Sequence, residues 1–415
     1  MLSLSVLTIG DEICIGQIVN TNASWIADQC TRIGCKISIH STIGDDIQII
    51  VNELERLLSQ SDAVIITGGL GPTHDDVTKD ALSKYFNDSL VLHQPTLDYL
   101  TSIYAKRGQT VSERNATQAM LPSKATILSN SRGTASGMWF EENGKIVISL
   151  PGVPTEMKGL MEEHILSHLS KRADETEGVQ LYKTLLTTGI TEANLADLIG
   201  DPKEFLNGSS LAFLPSYQGV RLRIGVQENN KQNASAELER IEYYIRKRAN
   251  KFIFGENDQT LASVVAQLLI KKNQTVSVAE SCTGGMLGAA LTDISGSSAY
   301  FEGGVQVYSY SAKHNILNVR PETLTQYGAV SKETVEEMAI NVRKKFGTTY
   351  GISISGIAGP GGGLPEKPVG TVWIGIADEY KVSAKKFVFG NERSINRERS
   401  VGSALEMLYR ALLDE

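Results

Sequence analysis

The sequence lacks a long apolar run, a cysteine-rich pattern and an excess of positive charge. Its most apolar stretch, residues 261–270, contains Ser263 and Gln267, so no segment reaches the roughly 18 apolar residues that a membrane span needs. The first residues lack the basic start of a secretory signal peptide. The four cysteines form no CxxC pair, which disfavours a disulfide framework or a zinc site and favours a reducing cytoplasm.

Charge and length limit the class of function and the number of domains. Lysine and arginine together number 40 against 47 aspartates and glutamates, and the resulting net charge of −7 disfavours nucleic acid as a partner. The hydrophobic fraction of 41% and the charged fraction of 21% are typical of a globular protein rather than a disordered one. At roughly 150 residues per domain, 415 residues predict two or three domains.

The first 170 residues alternate short apolar runs with amphipathic stretches, which predicts a parallel sheet covered by helices. The predicted strands are residues 4–9, 37–39 and 63–67, and the predicted helices are residues 23–30, 46–58 and 77–86. A strand ribbon over residues 137–150 and a helix over 154–169 complete this region. Sheets of this kind bind ligands at the carboxyl ends of their strands, so the loops there are candidate site loops.

Two further regions follow. The composition turns polar over residues 171–180, which predicts a linker at the start of a small α+β domain. This domain has predicted strands at 182–188, within 210–226 and at 251–254, and predicted helices at 192–199 and 236–250. The α/β alternation then resumes, with helices at 261–271, 284–293, 332–346 and 396–413 and strands at 275–279, 304–308, 351–355, 371–377 and 381–389.

A glycine-rich loop, GGLGPTHDD at residues 68–76, follows the third predicted strand. Glycines between a strand and a helix let backbone N–H groups approach a phosphate. Asp75 and Asp76, with Asp11 and Glu12 after the first strand, supply carboxylates for a divalent ion that bridges the phosphate. The alternative is a tight turn in which Asp75 or Asp76 caps a helix.

Five segments of this region resemble the molybdopterin-binding-like domain of the competence/damage-inducible protein A (CinA) family. They are GDEI at 10–13, NTN at 20–22, GDD at 44–46, the glycine loop at 68–76 and LPGVPTEM at 150–157. The resemblance implies a metal-dependent ADP-ribose pyrophosphatase that uses a divalent ion such as Mg²⁺ or Co²⁺ and is activated by potassium. The family usually has aspartate where this chain has Asn20. The implied substrate contacts are Gly68, Gly69, Gly71, Thr73 and Asn22, and the implied metal ligands are Asp11, Glu12, Asp75 and Asp76.

The segment VSVAESCTGG at residues 276–285 predicts a buried strand that runs into a helix start. Ser281 at this turn is a candidate nucleophile, and free N–H groups of residues 283–285 can stabilise an oxyanion or bind a phosphate. The candidate bases are His314 and Lys313, since a desolvated lysine amine can be neutral enough to take a proton. Alternatively, Ser281 caps the helix and Lys313 is a solvated charge.

This region is similar to the C-terminal domain of the CinA family, through AESCTGG at 279–285, SISGIAGP at 353–360 and KPVGTV at 367–372. The resemblance implies a nicotinamide-nucleotide amidohydrolase that converts nicotinamide mononucleotide (NMN) to nicotinic acid mononucleotide and ammonia, with no cofactor. The family usually has threonine at position 355. Arg393 and Arg399 compete with Arg397 for the substrate phosphate. The implied catalytic residues are Ser281, Lys313 as the base and Tyr308 as a relay or tuner of the lysine; the implied substrate contacts are Thr283, Gly284, Gly285, Ser355 and Arg397.

Together these features predict an α/β protein with three domains. They are an N-terminal molybdopterin-binding-like doubly wound sheet at residues 1–170, a small α+β middle domain at 171–255 and a C-terminal α/β amidohydrolase domain at 256–415. We expect a cytoplasmic, homodimeric, bifunctional hydrolase of NMN and ADP-ribose, with no nucleic acid or membrane as a partner. The alternatives are a pterin-handling nucleotidyltransferase and a non-enzymatic competence accessory protein.

Overall fold

The structure is a computed structural model that describes residues 1–176, 178–217 and 219–413. These residues form three main sheets and one two-stranded pair. No helix within them is long and apolar enough to cross a membrane.

Eight strands belong to the N-terminal region. They are β1 (Ser3–Ile9), β2 (Lys36–Ile43), β3 (Ala63–Thr67), β4 (Leu90–Leu92), β5 (Met120–Pro122), β6 (Thr126–Leu128), β7 (Gly137–Glu142) and β8 (Lys145–Leu150). Six of them form a sheet in the order β2-β1-β3-β8-β7-β6, and β4 pairs with β5. Strands β2, β1, β3 and β8 are parallel, whereas β7 and β6 are antiparallel additions. The four parallel strands therefore present their carboxyl ends at one edge.

Helices cover both faces of this sheet. They are α1 (Asp11–Cys14), α2 (Thr21–Arg32), α3 (Ile47–Leu58), α4 (Thr78–Tyr85), α5 (Gln94–Lys106), α6 (Glu113–Ala116), α7 (Pro154–Leu160) and α8 (Leu166–Asp174). Ile65 packs with α2, α7 and α8, and the next residue, Ile66, packs with α3 and α4. Because successive strand residues point to opposite faces, the continuous apolar run of β3 serves both cores. The doubly wound sheet predicted from the sequence is confirmed.

The middle sheet has the strand order β10-β11-β9-β12. Its strands are β9 (Val179–Thr187), β10 (Ser210–Ser216), β11 (Gly219–Glu228) and β12 (Ile253–Glu256), and its helices are α9 (Glu192–Ile199) and α10 (Lys231–Ala249). The α+β prediction is confirmed. The predicted linker is wrong at residues 171–174, because α8 extends to Asp174 and its Leu169 and Ala173 are buried in the N-terminal core. Glu177 of that linker lies outside the described residues.

The C-terminal sheet has the strand order β14-β13-β15-β16-β17. The strands are β13 (Val276–Glu280), β14 (Phe301–Gln306), β15 (Tyr350–Gly356), β16 (Thr371–Ala377) and β17 (Val382–Val388). The helices are α11 (Leu261–Lys272), α12 (Met286–Thr292), α13 (Tyr310–Leu317), α14 (Pro321–Tyr327), α15 (Lys332–Phe346) and α16 (Arg393–Leu412). Strands β14, β13 and β15 are parallel, and β16 and β17 are antiparallel to their neighbours. The carboxyl ends of β13, β14 and β15 thus share one edge.

Candidate functional site

A cavity of about 560 Å³ lies at the carboxyl edge of the N-terminal sheet. The loops that follow β1, β2, β3 and β8 line it, among them Gly10, Asp45, Gly68 and Pro151. Its volume is within the range of roughly 300–1,000 Å³ that is usual for small-ligand sites. The cavity therefore lies where a doubly wound sheet is expected to bind its ligand.

The glycine loop forms one wall of this cavity, and Gly68, Gly69 and Gly71 all line it. The Gly68 N–H donates to Leu150 O at 3.0 Å, and Thr78 Oγ1 donates to Gly68 O at 3.0 Å. Gly68 has a φ of +113°, and a Cβ at this position would collide with the carbonyl oxygen of Ile9. Only glycine fits a backbone with that φ and so close an approach.

The predicted acidic ligands do not all reach the cavity. Glu12, Asp75 and Asp76 line it, but Asp11 does not, because its side chain lies against Gly44. Within the described ranges, no group of three or more histidine, cysteine or acidic side chains is placed to hold a metal ion. The prediction of four converging carboxylates is therefore wrong as a ready-made metal site.

Thr73, a predicted substrate contact, forms hydrogen bonds within the glycine loop instead. Its backbone N–H and its hydroxyl both donate to the carboxylate of Asp76. These hydrogen bonds close the turn of the glycine loop, and Thr73 does not line the cavity. The tight turn is thus present, but the helix-capping alternative is wrong, because α4 follows Val77 with no side-chain cap. Asp75 is largely exposed.

Asp45 is an acidic cavity residue that the sequence prediction did not select. Its Oδ2 accepts the Asp11 N–H at 2.9 Å. Burial raises the pKa of Asp45, and the charges of Asp11, Glu12 and Asp75 raise it further. The GDD motif at residues 44–46 could have indicated this residue, because it follows the parallel strand next to β1.

The acidic side chains around Asp45 fit a divalent ion when substrate oxygens complete the site. A cation near Asp45 would relieve the repulsion that raises its pKa. Magnesium commonly takes only one or two protein carboxylates and completes its coordination with phosphate oxygens and water. Asp45 and Asp75 are two carboxylates on this wall that would hold the ion.

Two polar side chains line the cavity near the loop after β8. Asn22 Nδ2 donates to Gly152 O at 2.7 Å and to Thr67 Oγ1 at 3.2 Å, and its Oδ1 is buried with no hydrogen-bond partner among the described residues. Glu156, in the first turn of α7, accepts a hydrogen bond from Asn130 Nδ2 at 2.7 Å. Burial raises the pKa of Glu156. Sequence reasoning missed Glu156, since a glutamate at a helix start is usually a solvated residue favoured by the helix dipole.

The second site lies at the carboxyl ends of β13 and β14. β13 ends at Glu280, so Ser281 is the first residue beyond the strand, and its N–H donates to Ile354 O at 3.0 Å. Lys313, on α13, brings its Nζ to 3.1 Å from Ser281 Oγ. Ser281 is only 7% exposed and Lys313 is completely buried. The predicted serine and lysine are therefore in contact.

Lys313 Nζ has two further partners, the carbonyl oxygens of Val307 at 2.7 Å and Tyr308 at 3.1 Å. A neutral amine can donate one hydrogen to each carbonyl and offer its lone pair to the Ser281 hydroxyl. Burial lowers the pKa of Lys313 to about 8, because desolvation disfavours its charged form. The competing base, His314, directs its Nδ1 to Val319 O at 3.0 Å instead.

Tyr308 and Cys282 are distinguished by burial. The side chain of Tyr308 is 67% exposed, and its contact with Lys313 is made by its carbonyl oxygen. The predicted phenol relay is therefore wrong, because the hydroxyl is not what reaches the lysine. Cys282 is buried, and burial raises the pKa of its thiol to about 11, which disfavours a reactive thiolate.

The buried carboxylate of Glu280 organises the turn after Ser281. It accepts three N–H groups of the following helix start at 2.8–3.1 Å, those of Gly285, Leu287 and Gly288. The Gly284 N–H donates to Ser281 O at 3.2 Å. The prediction of free N–H groups is therefore wrong for Gly284 and Gly285, which donate within the turn.

The predicted phosphate and substrate contacts surround this turn. Arg397 Nη2 donates to Thr283 O at 2.8 Å, and both Arg397 Nε and Thr283 Oγ1 are buried without a hydrogen-bond partner in the described chain. Arg393 donates to Gly359 O at 2.9 Å. Arg399 instead lies over the ring of Tyr217, 5.6 Å from its centroid. Of the three arginines, Arg397 contacts the nucleophile turn.

Ser355 lies at the end of β15, beside the strand that carries Ser281. It is buried, and its hydroxyl donates to Ala329 O at 2.7 Å. Its hydrogen is thus used within the protein, so a substrate contact of Ser355 would use the oxygen lone pairs as an acceptor.

Comparison with known proteins covers the whole chain. Family models match as the probable molybdopterin binding domain over residues 5–171, the damage-inducible protein CinA KH domain over residues 182–255 and the CinA C-terminal domain over residues 258–412.

Individual relatives extend over the same length. A CinA-like protein of Cytophaga hutchinsonii is 42% identical over 98% of this chain and 97% of its own. A putative competence-damage inducible protein of Alkaliphilus metalliredigens is 39% identical over 99% of this chain and 100% of its own. The solved competence/damage inducible protein CihA from Agrobacterium tumefaciens is 38% identical, covers 37% of this chain and 97% of its own, and has a TM-score of 0.36.

Proposed function

Because the chain belongs to the CinA family, with a molybdopterin-binding-like fold, a KH-like middle domain and a CinA C-terminal domain, we propose that it is a pyridine-nucleotide hydrolase with two separate sites. The C-terminal site hydrolyses NMN to nicotinic acid mononucleotide and ammonia. The N-terminal site hydrolyses ADP-ribose to AMP and ribose 5-phosphate. The observation that carries the proposal is the buried contact between Lys313 Nζ and Ser281 Oγ.

The first half of the deamidation is acyl transfer to serine. Ser281 Oγ forms a bond to the carboxamide carbon of NMN while the neutral amine of Lys313 takes the hydroxyl proton. The N–H groups of Cys282 and Thr283 donate to no other residue in the described chain, and they serve as donors to the oxyanion. As the carbon–nitrogen bond breaks, Lys313 returns the proton to the leaving nitrogen and ammonia departs.

The second half restores the serine. Water attacks the ester carbon, and Lys313 again takes the proton as a base. The ester bond to Ser281 breaks, the proton returns to Oγ, and nicotinic acid mononucleotide leaves. Lys313 can act in both halves because its carbonyl partners, Val307 and Tyr308, hold Nζ in place in either protonation state.

Arg397 binds the phosphate of NMN in this scheme. Its hydrogen bond to Thr283 O fixes a guanidinium beside the nucleophile turn, and the positive charge there attracts a phosphate group. Holding the phosphate there orients the nicotinamide ring toward Ser281.

The N-terminal site accommodates a dinucleotide-like substrate in its cavity. The glycine loop brings backbone close to the pyrophosphate, and three exposed apolar side chains at the rim, Ile18, Val19 and Val153, offer surface to a flat base. A divalent ion held by Asp45 and Asp75 together with substrate oxygens would neutralise phosphate charge and withdraw electron density from phosphorus. Potassium remains part of this proposal as an activator.

The proposal is tested by two product assays on one preparation of the full chain. We expect ammonia release from NMN, and AMP release from ADP-ribose in the presence of Mg²⁺ or Co²⁺. A folded protein that yields neither product contradicts the proposal and favours a binding role. We also propose a homodimer in the cytoplasm, which the mass in solution and the location of a tagged chain would test.

A further inference from the structure

Glu156 is a cavity carboxylate that the proposed chemistry does not use. Its Oε2 accepts a hydrogen bond from Asn130 Nδ2 at 2.7 Å, and Asn130 also donates to Ala135 O at 2.8 Å. Asn130 is buried, and its Oδ1 accepts the Arg132 N–H at 3.0 Å. A buried amide with all these partners holds the Glu156 carboxylate in one orientation at the cavity wall.

Glu156 is distinct from the acidic group on the loops that follow the neighbouring strands. The charges of Asp11, Glu12 and Asp75 act on Asp45, whereas the pKa of Glu156 is raised by burial. Glu156 belongs to the loop and helix after β8, while the acidic group belongs to the loops after β1, β2 and β3. A ligand that spans the cavity therefore meets the two groups with different parts of its structure.

A fixed carboxylate recognises neighbouring hydrogen-bond donors, since it accepts and cannot donate when ionised. In ADP-ribose, the pyrophosphate offers only acceptors, and the adenine edge pairs one donor with one acceptor. The adjacent donors of this molecule are the vicinal hydroxyls on each of its two riboses. An acidic residue serves the same purpose toward ribose in other doubly wound nucleotide-binding folds.

Resting on the proposed ADP-ribose hydrolysis, we propose that Glu156 binds the vicinal diol of a ribose and makes the N-terminal site selective for ribonucleotides. Asn22 lies in the same cavity, and its assigned orientation is fixed by Gly152 O, which requires a donor. Its Oδ1 is buried and lacks a partner in the described chain.

The first test uses the unaltered full chain and needs no hydrolysis. Binding is measured by calorimetry with Mg²⁺ for two pairs of probes: AMP against 2′-deoxy-AMP, and ribose 5-phosphate against 2-deoxyribose 5-phosphate. We expect the ribose member of at least one pair to bind about tenfold more tightly, the usual effect of a hydrogen bond to a charged group. Equal affinities in both pairs overturn the proposal.

The second test compares Glu156→Gln and Glu156→Ala with the control Glu163→Gln. Glu163 lies in the same helical run, accepts a hydrogen bond from Ser131 Oγ and does not line the cavity. We expect both Glu156 variants to lose about tenfold in affinity for the preferred ribose probe and less than about twofold for its deoxy counterpart. The control should retain the preference.

Other results would overturn the diol contact or separate it from the proposed function. If Glu156→Gln weakened the binding of both members of a pair equally, the role of Glu156 would be structural rather than a contact with the diol. A different outcome is that the unaltered chain binds a pterin and shows no preference for ribose. If Glu156→Gln then abolished pterin binding, the carboxylate would be a contact for the edge of a pterin ring. Failure of ADP-ribose hydrolysis with an intact ribose preference would instead remove the proposed function and leave the diol contact in place.

Discussion

The two candidate sites lie at equivalent edges of two α/β sheets but differ in how complete they are. In the C-terminal site, nucleophile and base are buried and already 3.1 Å apart. In the N-terminal site, carboxylates line an open cavity without converging on a metal position in the described residues. The proposed C-terminal reaction thus uses protein groups alone, whereas the proposed N-terminal reaction needs an ion and substrate oxygens to complete its site.

The same physical cause shifts the pKa of one group in each site, in opposite directions. Burial lowers the pKa of Lys313 and raises that of Asp45, because desolvation disfavours the charged form of either group. For Lys313 the result is a neutral amine that can act as a base. For Asp45, neighbouring carboxylates add to the effect, and a cation would reverse it. Desolvation thus favours the working form of Lys313, whereas Asp45 needs a neighbouring cation to favour its charged form.

The largest expected effect concerns the nucleophile. Ser281→Ala should lower NMN deamidation by at least about a thousandfold, since removal of a nucleophile from such a pair leaves only residual catalysis. Cys282→Ala should keep activity within about twofold, because its thiol is buried and protonated. Ammonia release measures both. Inactivation by iodoacetamide that NMN prevents, together with an inactive Cys282→Ala, would reverse the assignment.

The base is tested by two substitutions of Lys313. Lys313→Arg keeps a long cationic side chain, yet arginine does not give up its proton under physiological conditions, so it should be as inactive as Lys313→Ala. His314→Gln is the neighbouring control and should retain most activity, because His314 faces Val319 O. Circular dichroism should first confirm folding. Substantial activity in Lys313→Arg would show that the proton transfers through another group.

Loss of an acidic cavity side chain should affect only the N-terminal reaction. Asp75→Ala, Asp76→Ala and Asp45→Asn are each expected to lower ADP-ribose hydrolysis about a hundredfold, the first and third through the metal and the second through the loop turn. NMN deamidation by the same preparations should stay within about twofold, since these residues are remote from Ser281 in the chain. Equal loss of both activities in a folded variant would refute the separation of the sites.

The smallest expected effect is a pH dependence that separates the two reactions. Lys313 must be neutral to act, and its pKa is lowered from 10.5 to about 8. Below that pH, kcat/KM for NMN should rise about tenfold per pH unit, and above it the value should level off. A profile that falls as pH rises toward 8 would contradict a lysine base. Hydrolysis of ADP-ribose should lack this particular inflection.

Much of the architecture was predictable because the spacing of apolar residues and the local composition determine the helices and strands. The alternation of apolar runs predicted β1, β3 and both helix layers, and the helix at Lys332–Phe346 has the predicted ends. The region between α4 and β7 was missed, since β4, β5 and β6 have three residues each and show no measurable alternation. The contact of Ser281 with Lys313 followed the predicted pairing.

The errors concern side-chain direction and internal hydrogen bonds, which sequence spacing does not specify. Tyr308 was predicted to end a strand at 304–308, but β14 ends at Gln306, and Tyr308 is exposed and contacts Lys313 through its carbonyl oxygen. Gly285 has the expected place, but Glu280 takes its N–H. Asp11 follows β1, yet its side chain turns toward Gly44. Residue spacing places each of these residues in the correct loop, but it does not specify which of its atoms makes the contact.

The most direct test of the difference between the sites is a chelator titration that follows both reactions in one preparation of the full chain. EDTA should abolish AMP release from ADP-ribose, and added Mg²⁺ or Co²⁺ should restore it. Ammonia release from NMN should remain unchanged throughout, because Ser281 and Lys313 need no ion. Loss of both activities on chelation, or loss of neither, would contradict the account.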